Sequence, residues 1–343
     1  MKRWVSRKYI FLIVTSAIVT LLFVFMNIFV GAVDIPISAI MDILSGNQVE
    51  NSSWSLIVLE ARLPQAVTAL LSGMALSVAG LMLQTLFNNP LAGPEVFGIN
   101  SGAGLGVAVV MLLMHGTFVA GAMSLGGYAA MLAGAFAGAL FIIAIILCLS
   151  SCVHNNIYLL IAGMSISYLN SAIITMLNYF STAEGVHSYL IWGMGNFGGV
   201  SMEQMPFFAS VIVSSLVVAL LMSKPLNAIM LGDAYAANLG IHTKNVRGVI
   251  LLLTGLLTAA VTAFCGPISF IGLAVPHFAR LILRTNNHIY LLPITMFLGA
   301  TVALLCNMLS QLPGESGLIP LGAITPLIGA PVILYVVLRN KGI

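Results

Sequence analysis

Apolar residues run through this chain in long unbroken stretches, and polar residues collect in the short breaks between them. A helix needs roughly 20 apolar residues to cross the hydrocarbon core of a bilayer, and lipid offers no partner to a free backbone group, so stretches of this kind predict membrane-spanning helices. The two-residue alternation of a β-barrel strand is absent. The pattern predicts about ten spans: Ile10 to Val33, Arg62 to Phe87, Val96 to Met114, Ala122 to Leu149, Ile157 to Phe180, Met205 to Met222, Val246 to Phe264, Gly266 to Leu283, Tyr290 to Gln311 and Leu321 to Leu338. Gly266 to Leu283 is the least regular, because Gly266, Pro267, Gly272 and Pro276 interrupt its periodicity. No linker, low-complexity tract or soluble segment divides the chain, so residues 1–343 read as a single transmembrane domain of all-α class.

One break differs from the others. Lys224 to Arg247 (KPLNAIMLGDAYAANLGIHTKNVR) carries a short helical pattern with basic flanks, too polar to be a span. Leu226, Ile229, Met230, Tyr235 and Leu239 supply apolar contacts, and Asp233, Asn238 and Lys244 supply polar ones. Gly232 and Gly240 allow the chain to leave helical conformation. This is the pattern of a handle that another polypeptide can grip; a merely interfacial amphipathic helix is the alternative.

Composition agrees with the membrane reading: 60% of the 343 residues are hydrophobic and 6% charged, too few polar groups to cover a soluble globule. Lys2, Arg3, Arg7 and Lys8 precede the first span, which is longer than the roughly 7 to 15 residues of a signal core and lacks a small-x-small site, so a retained anchor is expected. Lys and Arg favour the cytoplasmic side of short loops. With the N-terminus inside, Lys224, Lys244, Arg247, Arg280, Arg284, Arg339 and Lys341 all fall inside, and only Arg62 falls outside. Asp34, Asp42, Glu50, Glu60, Glu184, Glu203 and Glu315 then lie in external loops, and both termini are expected in the cytoplasm. The net charge of +3 is dispersed over span ends and forms no nucleic-acid patch.

Few residues offer chemistry. No G-x-x-x-x-G-K-[ST] occurs, so the chain cannot hydrolyse ATP by that route. Cys148, Cys152, Cys265 and Cys306 sit in or beside spans without partner ligands, as expected of apolar packing; the six histidines are scattered, and His187 reads as a solvated loop residue. No metal site and no cofactor are expected. An ion-coupled carrier would keep ionisable groups at mid-membrane depth. Glu95 is the nearest candidate, and its Pro and Gly neighbours place it at the inner membrane edge. An intramembrane enzyme is the third class considered, and no catalytic group supports it. Gly102 with Gly106, and Gly134 with Gly138, put small residues one turn apart, which favours close helix packing over a substrate role.

Several motifs together carry a resemblance: ARLPQ at Ala61 to Gln65, LMLQTLFNNPLAGPEVFGINSGAGLG at Leu81 to Gly106, YFSTAEGVHSYLIWGMGNFGGV at Tyr179 to Val200, LNAIMLGDAYAANLGI in the handle, GPISFIGLAVPHFARL at Gly266 to Leu281, and PLGAITPLIGAP at Pro320 to Pro331. The chain resembles the FecCD family, the permease subunits of ABC importers for iron-siderophores, haem and cobalamin. The resemblance implies a type II importer permease with ten helices, a homodimer around a central pathway, two cytoplasmic ATP-binding subunits and an external substrate-binding protein, in the bacterial inner membrane. It implies that the segment matching Pro225 to Gly240 forms coupling helices seated in the ATPase, with Leu231, Gly232, Asp233, Ala236, Leu239 and Gly240 as the contacts. It places a cytoplasmic gate at SSCVHNNIYLL, with Asn155 and Asn156 as candidates against a simple polar loop.

At the external rim the resemblance is incomplete. The family uses arginines there to meet glutamates of the binding protein. Arg62 fits, but Gln65 replaces a second arginine of the usual R-L-P-R pattern, Gln311 stands where another arginine is common, and Asn307 where an acid is usual. Arg62, Gln65 and Gln311 are therefore docking candidates for a less electrostatic contact. Met164, Asn170, Met176 and Asn178 are candidates for the pathway or, equally, for helix packing. The residues do not choose among siderophore, haem and cobalamin.

Overall fold

The structure is a computed structural model, which describes residues 2–47, 49, 51–113, 125–153, 156–312 and 317–340. Among these there is no strand. The helices are α1 (Lys2–Phe29), α2 (Ile37–Leu44), α3 (Ser52–Leu56), α4 (Leu63–Leu86), α5 (Ile99–Leu113), α6 (Leu125–Cys152), α7 (Asn156–Phe180), α8 (Ala183–Gly193), α9 (Met205–Leu221), α10 (Ser223–Ile229), α11 (Asp233–Asn238), α12 (Thr243–Cys265), α13 (Ile271–Leu283), α14 (His288–Gln311) and α15 (Leu321–Asn340). Six helical segments are long and apolar enough to cross a membrane, and a seventh if α9 and α10 count as one bent span. α5, α13 and α15 supply the shorter apolar helices, so every expected span has its helix.

Boundaries moved for identifiable reasons. α1 ends at Phe29, four residues before the expected Val33, because the chain turns there and Arg62 binds the freed carbonyls. α4 is entered through a π-helical turn, Ile57–Arg62, and begins with Pro64 at a position where the missing N–H is harmless. α13 starts at Ile271, not Gly266. Gly266 has φ 73° and Phe270 φ 67°, both outside helical conformation, while Pro276 is accommodated within the helix.

The extended stretch before α13 lies among packed elements, where its backbone needs partners. Asn196 donates its N–H to the Cys265 carbonyl at 2.8 Å, and Gly322, at the start of α15, donates to Met194 at 2.9 Å. Three irregular stretches thus satisfy one another.

α4 is the central helix, 83% buried over its span, and α7 is peripheral, 17% buried. Close approach depends on glycine. A Cβ on Gly106 would run into the Gly134 carbonyl, and one on Gly138 into that of Gly102, so the two glycine pairs read from the sequence mate crosswise between α5 and α6. Gly80 meets Gly272 of α13 in the same way, and Gly73 meets Gly299 of α14. Without a hydrophobic drive between helices in lipid, this backbone-to-backbone packing is the main source of their association.

Candidate functional site

The handle is two short helices set off from α9, with α10 bent by 56° from its axis. The turn between α10 and α11 falls on Gly232, φ 110°, and α11 ends on Gly240, φ 80°. Both are left-handed positions where a side chain would strain the backbone, and no atom lies near either one. Leu226, Ala228 and Ile229 turn inward and are buried, whereas Leu231, Tyr235 and Leu239 are at least half exposed. Three large apolar side chains on and beside α11 are therefore uncovered. Asp233 pairs with Arg247 of α12 at 3.2 Å, a half-exposed bridge worth about 0.2–1 kcal/mol. Ala236, between Tyr235 and Leu239 in the handle, is buried.

α10 is fastened to the bundle by residues that the sequence did not mark. The Asn227 side-chain oxygen accepts from the backbone N–H and from the ring Nδ1 of His288, each at 2.8 Å, and its amide nitrogen donates to Asn287 at 3.0 Å. The other ring nitrogen, Nε2, faces the Thr85 hydroxyl at 2.8 Å. His288 is buried at the start of α14. One asparagine thus links the handle to the first turn of α14 and, through the imidazole, to the last turn of α4. Asn227 lies among apolar contacts in LNAIM, and nothing in its spacing distinguishes it from an exposed polar residue.

Of the gate candidates, Asn155 lies outside the described residues and Asn156 is the first residue of α7. His154 and Glu315 also lie outside the described residues.

At the opposite end of α4, the docking candidates turn inward. Arg62 is buried, and its guanidinium donates to the carbonyls of Ile28 (3.0 Å), Phe29 (3.1 Å) and Val33, closing the C-terminus of α1. A helix leaves its last carbonyls unpaired, and a cation there is favourable. Gln311 donates to Gln65 at 3.2 Å, Gln65 to Asn307 at 2.9 Å, and Asn307 to Asn27 at 2.8 Å. The positions where the family's charges are replaced by amides therefore form one neutral chain across α14, α4 and α1.

The remaining candidates separate by contact. Asn170 is buried and donates to Ser101 of α5 at 3.0 Å, which is helix packing; Met164 and Met176 are exposed on α7. His187 is exposed. No cluster of three metal-binding side chains exists among the described residues. Glu95 is not at the edge of the bundle. The preceding Pro94 reaches the first turn of α13, where a Cβ on Gly272 would meet its ring, and Gly272 lies eleven residues, about 16 Å at 1.5 Å per residue, from the far end of α13. The loop climbs back along α13, with Pro90 accepting from His277 at 2.9 Å on the way.

The chain matches the model of the FecCD transport family over residues 19–339. It is 35% identical over 292 residues, 85% of each chain, to the vitamin B12 import system permease protein BtuC of Klebsiella pneumoniae. It is 33% identical over 311 residues, 89% of this chain and 92% of the other, to BtuC of Citrobacter koseri. A solved structure described as an inward-facing conformation of a metal-chelate type ABC transporter superposes with a TM-score of 0.80 at 28% identity, covering 96% of this chain and 98% of that one. Helix arrangement, motifs and coverage agree, and this multi-pass membrane chain belongs to the FecCD transport family of ABC-importer permeases.

Proposed function

We propose that the chain is the import permease for cobalamin or an iron chelate, a siderophore or haem, and that separate ATP-binding subunits work it through the α10–α11 handle. The observation that carries this reading is the exposure of Leu231, Tyr235 and Leu239 on a segment bolted through Asn227 to His288. An apolar face without a partner in its own chain is suited to a groove in another protein. Leu231, Gly232, Asp233, Ala236, Leu239 and Gly240 are the residues that meet the ATPase. Two ATPase copies drawn together by ATP push two handles. Because α10 is rigidly tied to α14 and α4, the push reaches helices beside the central pathway, and the interface between two copies of the chain is the bistable element.

The exposed apolar side of α7, with Met164, Tyr168 and Met176, suits an interface with that second copy. Asn155 and Asn156 form the inner gate at the start of α7. The binding protein docks on the face around Arg62, Gln65 and Gln311, where the amide chain makes the contact depend on shape more than on opposite charge. The handle end is cytoplasmic, as are both termini, in the inner membrane.

The vitamin B12 permeases among the relatives make cobalamin the first cargo to test. Reconstitution with the matching ATPase and binding protein, with labelled cobalamin competed by haem and by ferric chelates, decides the cargo. Displacement by one class and not the others identifies it. Uptake that persists without the ATPase would overturn the reading. For the gate, bulky residues at Asn156 should alter transport while ATPase assembly stays intact; normal uptake with several such changes would remove that assignment.

A further inference from the structure

Next to the handle lies a cavity of about 280 Å³ with Arg280, His277, Asn89, Asn286 and Met230 in its wall. A second, of about 270 Å³, is lined by Leu231, Gly232 and Asp233; the two share Thr85, Asn88 and Met230, so the first opens beside the handle.

Arg280 is a charge without a counter-charge. The single ion pair among the described residues is Arg247 with Asp233. Arg280 donates from Nη1 to the neutral oxygen of Gln84 at 2.6 Å, and Gln84 is held in place by donating to the Leu273 carbonyl at 3.1 Å. A guanidinium has five donors in a fixed fork that matches a carboxylate, and this bond uses one of them. The last turns of α4 and α13 bring carbonyl partial charges close, which offsets part of the charge but leaves the cavity unfilled. The rest of the wall is rich in donors. Asn89 uses its side-chain oxygen on the Leu91 N–H at 2.9 Å, leaving its amide hydrogens for another acceptor, and His277 donates Nε2–H to the Pro90 carbonyl. No carboxylate lines the cavity.

We infer that an aspartate or glutamate side chain of the ATPase subunit enters this cavity and pairs with Arg280, a second contact beside the handle. The inference rests on the handle being the ATPase contact. The chemistry is that of a partly buried cation in a donor-rich pocket, continuous with the surface the ATPase is proposed to grip, and it requires an acidic group from outside the chain.

The test is affinity of the ATPase for the permease in nanodiscs of zwitterionic lipid, measured for Arg280→Gln, Arg280→Lys and Asn286→Glu. Arg280→Gln should weaken binding roughly tenfold or more, since truncating one partner of such a pair removes it from the other, and Arg280→Lys should weaken it less. Asn286→Glu changes an exposed residue, so its folding is not in question, and it should weaken binding by placing an acid at the cavity mouth. An acid-to-lysine scan of the ATPase should find one change that restores binding to Arg280→Glu. If all these variants bind as the parent does while Leu239→Asp loses binding, the handle reading stands and the cavity inference falls. If the parent chain itself does not bind, the handle reading falls first. If the Arg280 effect occurs only in nanodiscs containing phosphatidylglycerol, the occupant is a lipid phosphate and the inference is overturned.

Discussion

Asn227 and His288 show how much of the proposed coupling path rests on single side chains. Removing the Asn227 amide leaves the His288 backbone N–H and its buried ring Nδ1 without a partner, each worth about 1–3 kcal/mol when orphaned, while the Asn287 oxygen keeps the Ile289 N–H. Asn227→Leu should therefore leave ATPase binding within twofold but lower cargo moved per ATP severalfold; unchanged coupling would show that the link carries no force. The amide chain at the other end gives a second test. Asn307→Asp places a charge among amides and should lower thermal stability, whereas Gln65→Arg with Asn307→Asp restores a pair of the kind the family uses. A double-mutant cycle should show favourable coupling of about 1 kcal/mol or more, and additive effects would contradict the contact. These residues also mark the limit of sequence reading. Gln65, Asn307 and Gln311 were noticeable because they depart from a familiar charge pattern, but their mutual bonds join residues more than 240 positions apart. Arg62 is expected at the rim because it falls outside by the charge rule and fits the first arginine of the family's R-L-P-R pattern. The chain of α1 returns to cover it, which no local pattern reveals.

Helices and their meeting points were more readable. Spans were recovered because each is a long apolar run, and the handle because its polarity and glycines interrupt that pattern. The glycine pairs of α5 and α6 were readable as a packing face, although their crosswise mating required the helices' antiparallel placement. Gly106→Leu should separate α5 from α6 and destabilise the protein by about 1–3 kcal/mol or more, seen as a lower unfolding temperature in detergent. Gly193→Ala, where an added Cβ meets nothing, should leave that temperature unchanged; equal effects would deny the close approach. The break before α13 was visible as Gly266 and Pro267. The climb of the Pro94–Phe97 turn to the α13 N-terminus was not, because proline and glycine signal a turn without giving its depth. Within the handle, Leu239→Asp keeps the fold, since Leu239 is 59% exposed, and should remove most ATPase affinity, as loss of a central apolar anchor does.

For the whole molecule, the arrangement is a bundle centred on α4, with an uncovered α7 on its flank, an amide-linked rim at one end and, at the other, a handle beside Arg280, which is bonded to neutral Gln84. Our proposal is that the bundle is a conduit moved from outside itself by separate ATP-binding subunits. Proteoliposome uptake of labelled cargo, with binding protein and ATP present and the ATPase subunit either included or omitted, tests this most directly. ATP-dependent accumulation with the ATPase and none without it, lost again in the Leu231→Asp/Leu239→Asp variant, is the predicted result. Accumulation without the ATPase, or undiminished coupled import by that variant, would contradict it.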